Sequence, residues 1–305
     1  MNTKVTIGRV TLNNPVMTAS GTFGSGMEYS ELTDITRLGA VVTKGVAKEP
    51  WEGNPTPRIA ETPSGMMNAI GLQNPGMETF IRRDLPFLRE KCAGSGTKII
   101  VNVCGRTVED YCETAARLSE EKDVAMLEIN ISCPNVKEGG IAFGQNPSGA
   151  FEVTQAVKRV SKVPIIMKLS PNVTDIAEMA RAAQAGGADA VSLINTLTGM
   201  KIDVHRRCFS LANRTGGVSG PAIHPIAVRM VWQAAHAVSI PVIGMGGIRT
   251  GEDALEFLMA GASAVAVGTA HFADPGASVR IVEEIESYME QYQVENIRDL
   301  IGCVG

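Results

Sequence analysis

Eight short apolar runs, each followed by a stretch of helical periodicity, constrain this chain more than any other feature. They are Val16–Ala19, Ala40–Thr43, Lys98–Val103, Ala125–Ile131, Ile165–Leu169, Ala190–Ile194, Pro241–Gly244 and Ala264–Gly268. Apolar, mostly branched runs without polar alternation indicate strands buried on both faces, and strands that alternate with helices indicate a parallel sheet. Eight such units are what a (β/α)8 TIM barrel requires, and its usual length of about 250 residues leaves room for insertions. The whole chain, residues 1–305, reads as a single barrel domain. An open doubly wound sheet fits less well, because no GxGxxG follows the first strand and the glycines gather late in the chain.

The connections carry matching start and stop chemistry. Val5 to Val16 alternates around Gly8-Arg9 and Asn13-Asn14, as an N-terminal β-hairpin ahead of the first buried strand. Thr107-Val-Glu-Asp110 and Thr250-Gly-Glu-Asp253 resemble capping boxes with Asp in the usual Glu position. Ile176, Met179, Ala180 and Ala183 share one helix face that stops at Gly186-Gly187, and Leu255, Leu258 and Met259 repeat the pattern before Gly261. Two connections exceed simple βα loops: Gly45 to about Phe80, and Leu197 to about Pro225. Both follow strands, so on a barrel they roof the catalytic face.

Composition excludes several classes of function. A hydrophobic fraction of 44% with 32 glycines and 5% aromatics suits an α/β protein packed with Val, Ile, Ala and Leu. A net charge of −4 leaves no electrostatic footprint for nucleic acid. The six cysteines (92, 104, 112, 133, 208 and 303) form no CxxC pair, which points to free thiols in a reducing cytoplasm and to no metal site built by this chain. The first residues hold no apolar run long enough for a signal peptide or membrane span, so a cytosolic protein is expected.

The strand ends are where the chemistry gathers. Read in order they present Ser20, Thr43-Lys44-Gly45, Asn102, Asn130 with Cys133, Lys168, and Asn195-Thr196. One asparagine at a strand end is ordinarily turn chemistry, but six strand ends turning polar together converge on one barrel mouth. The fourth run ends in Asn130, Ser132 and Cys133 before Pro134 stops the ladder, and Gly139, Gly140 and Gly144 then make a flap. A thiol and a carboxamide beneath a glycine-hinged flap are what a gated active site needs.

Strands seven and eight carry a different signal. Gly244-Met-Gly246-Gly247 and Gly268-Thr269 end them, and Gly216-Gly217-Val-Ser-Gly220 forms a third patch. Such glycines let backbone N–H groups approach an anion, and barrels often hold phosphate after strands seven and eight. A phosphate anchor at one side with lysine, amides and thiol at the other suits a phosphorylated cofactor stretched across the mouth. FMN fits, with Lys168 near the ring edge that turns negative on reduction.

At these residues the sequence resembles the dihydroorotate dehydrogenases across nearly its whole length. The segments that carry the resemblance are Ala19-Ser20-Gly21, Thr43-Lys44-Gly45-Val46, Asn68-Ala69-Ile70-Gly71-Leu72-Gln73-Asn74, Asn130-Ile131-Ser132-Cys133-Pro134-Asn135 and Ile194-Asn195-Thr196. The flap Lys137–Gly144 and the loop Leu197–Asp203 are most similar to the soluble class 1B catalytic subunits. The resemblance implies oxidation of (S)-dihydroorotate to orotate in pyrimidine biosynthesis, with Cys133 as the general base. It implies substrate contacts at Lys44, Asn68, Ala69, Ile70, Gly71, Leu72, Asn130, Asn195 and Thr196. FMN contacts are implied at Ser20, Lys44, Gly45, Asn102, Asn130, Lys168 and Ile194, with Gly220, Gly246, Gly247, Gly268 and Thr269 around the phosphate. Class 1B enzymes pass electrons to NAD⁺ through a partner subunit carrying FAD and a [2Fe–2S] cluster, and the resemblance implies a homodimer core within a heterotetramer.

Three alternatives compete. A fumarate-linked class 1A enzyme shares the chemistry and differs in electron acceptor. A phosphate-binding lyase or isomerase barrel without flavin would use Lys44 or Lys168 for Schiff-base chemistry, leaving Cys133 and the asparagines idle. A non-catalytic flavin module would hold FMN but fail to oxidise dihydroorotate.

Overall fold

The computed structural model describes residues 1–132 and 141–304. All eight expected runs form strands: β1 (Val16–Thr18), β2 (Ala40–Val42), β3 (Lys98–Val103), β4 (Val124–Asn130), β5 (Ile165–Lys168), β6 (Ala190–Leu193), β7 (Val242–Gly244) and β8 (Ala264–Val267). Each pairs in parallel with its sequence neighbours, and β8 pairs with β1 to close the barrel. The register is set by side chains such as Val101, Leu127, Met167 and Val191, all fully buried. A one-residue slip would exchange lumen-facing and helix-facing side chains along a whole strand.

The outer layer holds α1 (Leu85–Lys91), α2 (Val108–Leu118), α3 (Pro147–Val160), α4 (Ile176–Ala185), α5 (His224–Ala235), α6 (Gly251–Met259) and α7 (Ala277–Gln291). Between β1 and β2, two 3₁₀ turns, Tyr29–Glu31 and Ile35–Arg37, stand in place of a helix. The helix signals separate on inspection. Thr250 and Asp253 form the full reciprocal capping box at α6. Thr107 accepts from the Asp110 N–H, but the Asp110 carboxylate accepts from the Arg106 N–H, one residue outside the box. Asp175 caps α4, which ends at Gly186 and turns through Gly187 at φ +97°.

The N-terminal hairpin, Val5–Ile7 paired with Val10–Leu12, lies at the amino-terminal end of the barrel. Val5, Ile7 and Leu12 are buried there, and Arg9 donates to the Lys162 carbonyl just ahead of β5. Among the described residues, no helix is long and apolar enough to cross a membrane.

The two long connections are more ordered than their sequences indicate. Ile59–Thr62 and Gly65–Asn68 form a hairpin in the first. Leu197–Met200 and Thr215–Ser219 pair in the second, and Gly217–Ser219 then pairs with Asn68–Met66. The result is one four-stranded antiparallel sheet knit from insertions after β2 and β6. Gly217 is required at the seam, because a Cβ there would lie 1.9 Å from Thr196 Oγ1.

Candidate active site

The carboxyl ends of the strands and the antiparallel sheet enclose a cavity of about 1070 Å³. That is at or above the upper end for small-molecule sites, enough for a mononucleotide and a second small ring. Ser20, Lys44, Gly45, Asn102, Asn130 and Lys168 line it from the ends of β1 to β5, and Ile194, Asn195 and Thr196 from the end of β6. Asn68, Ile70, Gly71 and Leu72 reach it from the first insertion, and Gly220, Gly246, Gly247, Gly268 and Thr269 from the glycine-rich side. Of the residues expected to contact substrate, Ala69 departs. It is buried in a small cluster with Met67 and Leu211, and its carbonyl accepts from Asn54 Nδ2 at 3.0 Å. The strand continuing from Met67 accounts for this, since alternate residues take opposite faces. Cys133, Asn135 and Lys137–Gly140 lie outside the described residues.

A continuous hydrogen-bonded chain runs across the polar end. Asn102 Nδ2 donates to Glu128 Oε1 at 2.5 Å, and Asn130 Nδ2 approaches Asn102 Oδ1 at 3.4 Å. Asn130 Oδ1 accepts from the Ser132 N–H and hydroxyl. Asn195 Nδ2 donates to Ser132 Oγ at 2.8 Å, and Asn195 Oδ1 accepts from the Thr196 N–H. Asn172 extends the chain by donating to the Thr196 carbonyl at 3.0 Å. The Tyr111 hydroxyl donates to the Asn130 carbonyl at 2.7 Å from α2. Amides anchored at both ends lose little further entropy when a ring with paired donors and acceptors docks on them. Lys168, almost fully buried, donates to Ser20 Oγ at 2.8 Å and lies 3.7 Å from Glu128 Oε1.

The glycine side is shaped by close backbone approach. Gly246 has φ +137° and Gly247 φ +73°, and a Cβ on Gly247 would meet the Gly220 carbonyl at 2.9 Å. The same Cβ would lie 2.8 Å from His224 Cβ, so only glycine fits there, and Gly220, Gly246 and Gly247 line the cavity without side chains, the form an anion cradle takes. His271 holds the β8 turn from behind. Its Nδ1 lies 3.0 Å from the Gly268 carbonyl and its Nε2 2.7 Å from Ser278 Oγ. Burial pushes its pKa down to about 4. The neutral ring then donates from Nδ1 and accepts at Nε2, an assignment made from this network. Behind Gly246, His224, Asp253 and Glu256 bring ligand-type atoms within 4.8 Å of one another. Asp253 there serves the α6 cap, and His224 Nδ1 lies 3.2 Å from the Gly246 carbonyl.

Sequence reasoning missed Glu128, Ser192, Asn172 and His271. Glu128 left a signal, being the one charge in the run AMLEINI, two residues before Asn130 on the same strand face. Asn172, His271 and Ser192 left none beyond ordinary loop and strand composition.

A closed parallel barrel with a polar cavity at the carboxyl ends of its strands, and glycine-rich turns after the last two, defines a (β/α)8 barrel with its candidate site at that mouth. The chain belongs to the dihydroorotate dehydrogenase family, whose profile matches residues 2–289. It is 64% identical to the dihydroorotate dehydrogenase B (NAD(+)) catalytic subunit of Lachnoclostridium phytofermentans, over 100% of both chains. The subunit of the same name from Alkaliphilus metalliredigens is 61% identical over 100% of this chain and 99% of its own length. A crystal structure of dihydroorotate dehydrogenase from Eimeria tenella, in complex with ferulenol, superposes with a TM-score of 0.83. It covers 99% of this chain and 88% of that one at 22% identity, a likeness of fold. The family is flavin-dependent.

Proposed function

We propose that this chain is the catalytic subunit of an NAD-linked dihydroorotate dehydrogenase, which oxidises (S)-dihydroorotate to orotate in pyrimidine biosynthesis with FMN as its cofactor. The observation that carries this reading is the union, in one cavity, of the glycine cradle with Lys168 and the asparagine chain. Family membership and full-length relatives at 64% and 61% identity support the same substrate.

The residues present fit FMN. Gly220, Gly246, Gly247 and Gly268 line one side of the cavity without side chains, which leaves room there for a phosphate beside Thr269. Ser20, Lys44, Gly45, Asn102, Asn130, Lys168 and Ile194 would hold the ring system. FMN supplies a two-electron acceptor for the hydride that leaves C6 of the substrate.

The chain's own groups do the rest. Asn68, Asn130, Asn195 and Thr196 hold the ring amides of the substrate, with backbone groups of Gly71 and Leu72. The Lys44 ammonium pairs with the carboxylate. Cys133 takes the proton from C5, so that C5 and C6 end joined by a double bond. The pocket rejects analogues that lack these groups, because its own buried polar atoms would be stranded. The words "catalytic subunit" in the relatives' names imply a partner. We assign that partner the FAD and [2Fe–2S] cluster that relay electrons to NAD⁺, around a homodimer of this chain.

The test is anaerobic mixing of the flavin-loaded chain with (S)-dihydroorotate, following the flavin absorbance, then offering NAD⁺ with and without the iron–sulfur partner. Bleaching, with NADH formed only when the partner is present, is the expected result. Efficient reoxidation by fumarate would overturn the NAD-linked assignment, and absence of bleaching would overturn the substrate.

A further inference from the structure

Beneath the lysine end of the cavity lies a buried carboxylate to which the reaction above gives no task. Glu128 on β4 is 2% exposed. Its Oε1 accepts from Asn102 and lies 3.7 Å from Lys168 Nζ, and its Oε2 accepts from Ser192 Oγ at 3.0 Å. Asn102 and Lys168 line the cavity, whereas Glu128 sits one layer below it. A buried ion pair is a poor source of stability, since well-packed apolar residues of similar volume would serve as well. Packing alone therefore does not account for a carboxylate at this position.

We propose that Glu128 is a positioning residue that sets how much of the Lys168 charge reaches the bound flavin, and thereby sets its reduction potential. The proposal rests on the FMN reading. Reduction adds negative charge to the cofactor, and Lys168 favours the reduced form from the cavity wall. A carboxylate 3.7 Å from the ammonium, with both side chains buried, offsets part of that effect. Glu128 is also the acceptor-only end of the amide chain. It fixes the Asn102 carboxamide with its nitrogen inward, which turns Asn102 Oδ1 toward Asn130.

Two substitutions separate charge from shape. Glu128→Gln keeps the shape and removes the charge; Glu128→Asp keeps the charge and shortens the side chain. Both are purified with FMN and titrated anaerobically against a reference dye, beside the unsubstituted chain. Glu128→Gln should favour the reduced flavin about tenfold, ~30 mV more positive for two electrons, and Glu128→Asp should stay at the parent potential. A merely structural role gives the reverse order, with the isosteric glutamine silent and the shortened aspartate shifted. That order, or an unmoved or more negative potential in Glu128→Gln, overturns the proposal. Should Glu128→Gln purify without flavin, Glu128→Gln/Lys168→Met decides. Flavin regained when both charges are gone supports a charge imbalance, and flavin still absent overturns it. Failure of the unsubstituted chain to hold flavin is a separate result, and it overturns the FMN reading itself.

Discussion

Removing the Cys133 thiol separates two tasks that the proposed reaction gives to different groups. Cofactor contacts come from the lysines, amides and glycines, and proton abstraction from the thiol alone. Cys133→Ala should therefore retain FMN while flavin reduction by dihydroorotate slows about 10²–10⁴-fold, the usual worth of a positioned base. Stopped-flow reduction reads this directly, and an unchanged rate would remove Cys133 from the reaction. His271 offers a second test at this scale. Its pKa is depressed by burial to about 4, so the folded chain holds the neutral ring while the unfolded chain takes a proton near 6.5. Its contribution to stability is complete above about pH 6.5 and is lost as pH falls from there toward 4. Through that window the slope approaches roughly 1.4 kcal/mol per pH unit. Urea melts at pH 7.5, 6 and 5 should show a stability gap between parent and His271→Gln that narrows with acid. A gap of constant size would show that the buried ring is not the group responsible. The sequence conceals this residue although its partners, Gly268 and Ser278, lie only three and seven positions away, because no capping or alternation signal marks a histidine bridging the β8 turn and the first turn of α7.

Elements divide between those written locally and those that need a distant partner. The barrel strands were legible because each carries its own apolar run, and α4 and α6 because Asp175 and Thr250 mark their starts. The four-stranded sheet was not legible. Thr215-Gly-Gly-Val-Ser lacks the alternation of a half-buried strand, and its partner Gly65–Asn68 lies far away in sequence. Only the combined structure tells why Gly217 is a glycine. Gly217→Ala would drive a methyl group into the Thr196 hydroxyl, so Thr196 or the strand must shift. Overpacking of this kind costs about 1–3 kcal/mol, and here it falls on the substrate end of the cavity. Calorimetric titration of the flavin-loaded variant with orotate should show affinity at least tenfold weaker, with FMN content close to the parent's. Orotate binding at parental strength would mean that the seam yields without disturbing Thr196.

For the whole molecule, the proposed cofactor would touch the ends of β1 to β8 and the second insertion, so its binding is coupled to closure of the barrel. A ligand held only by the folded state stabilises it by ~2.7 kcal/mol at a free concentration one hundred times its Kd. In a chain of this size that raises Tm by roughly 5 °C. Stripping FMN should lower the scanning-calorimetry midpoint by about that amount, and readdition should restore it. An unchanged midpoint would mean that the cavity is rigid without its occupant or that FMN is not what fills it. The sheet over the mouth has one more consequence. Its halves come from opposite sides of the barrel, after β2 and after β6, and each half supplies hydrogen bonds that the other needs. Neither insertion can be exchanged between relatives by itself without leaving a row of unpaired backbone groups above the active site. A chimera that swaps residues 45–80 alone inherits a roof with one wall missing, whereas one that also swaps 197–220 carries its own lock and key. New specificities on this scaffold must therefore be inherited as matched pairs of insertions.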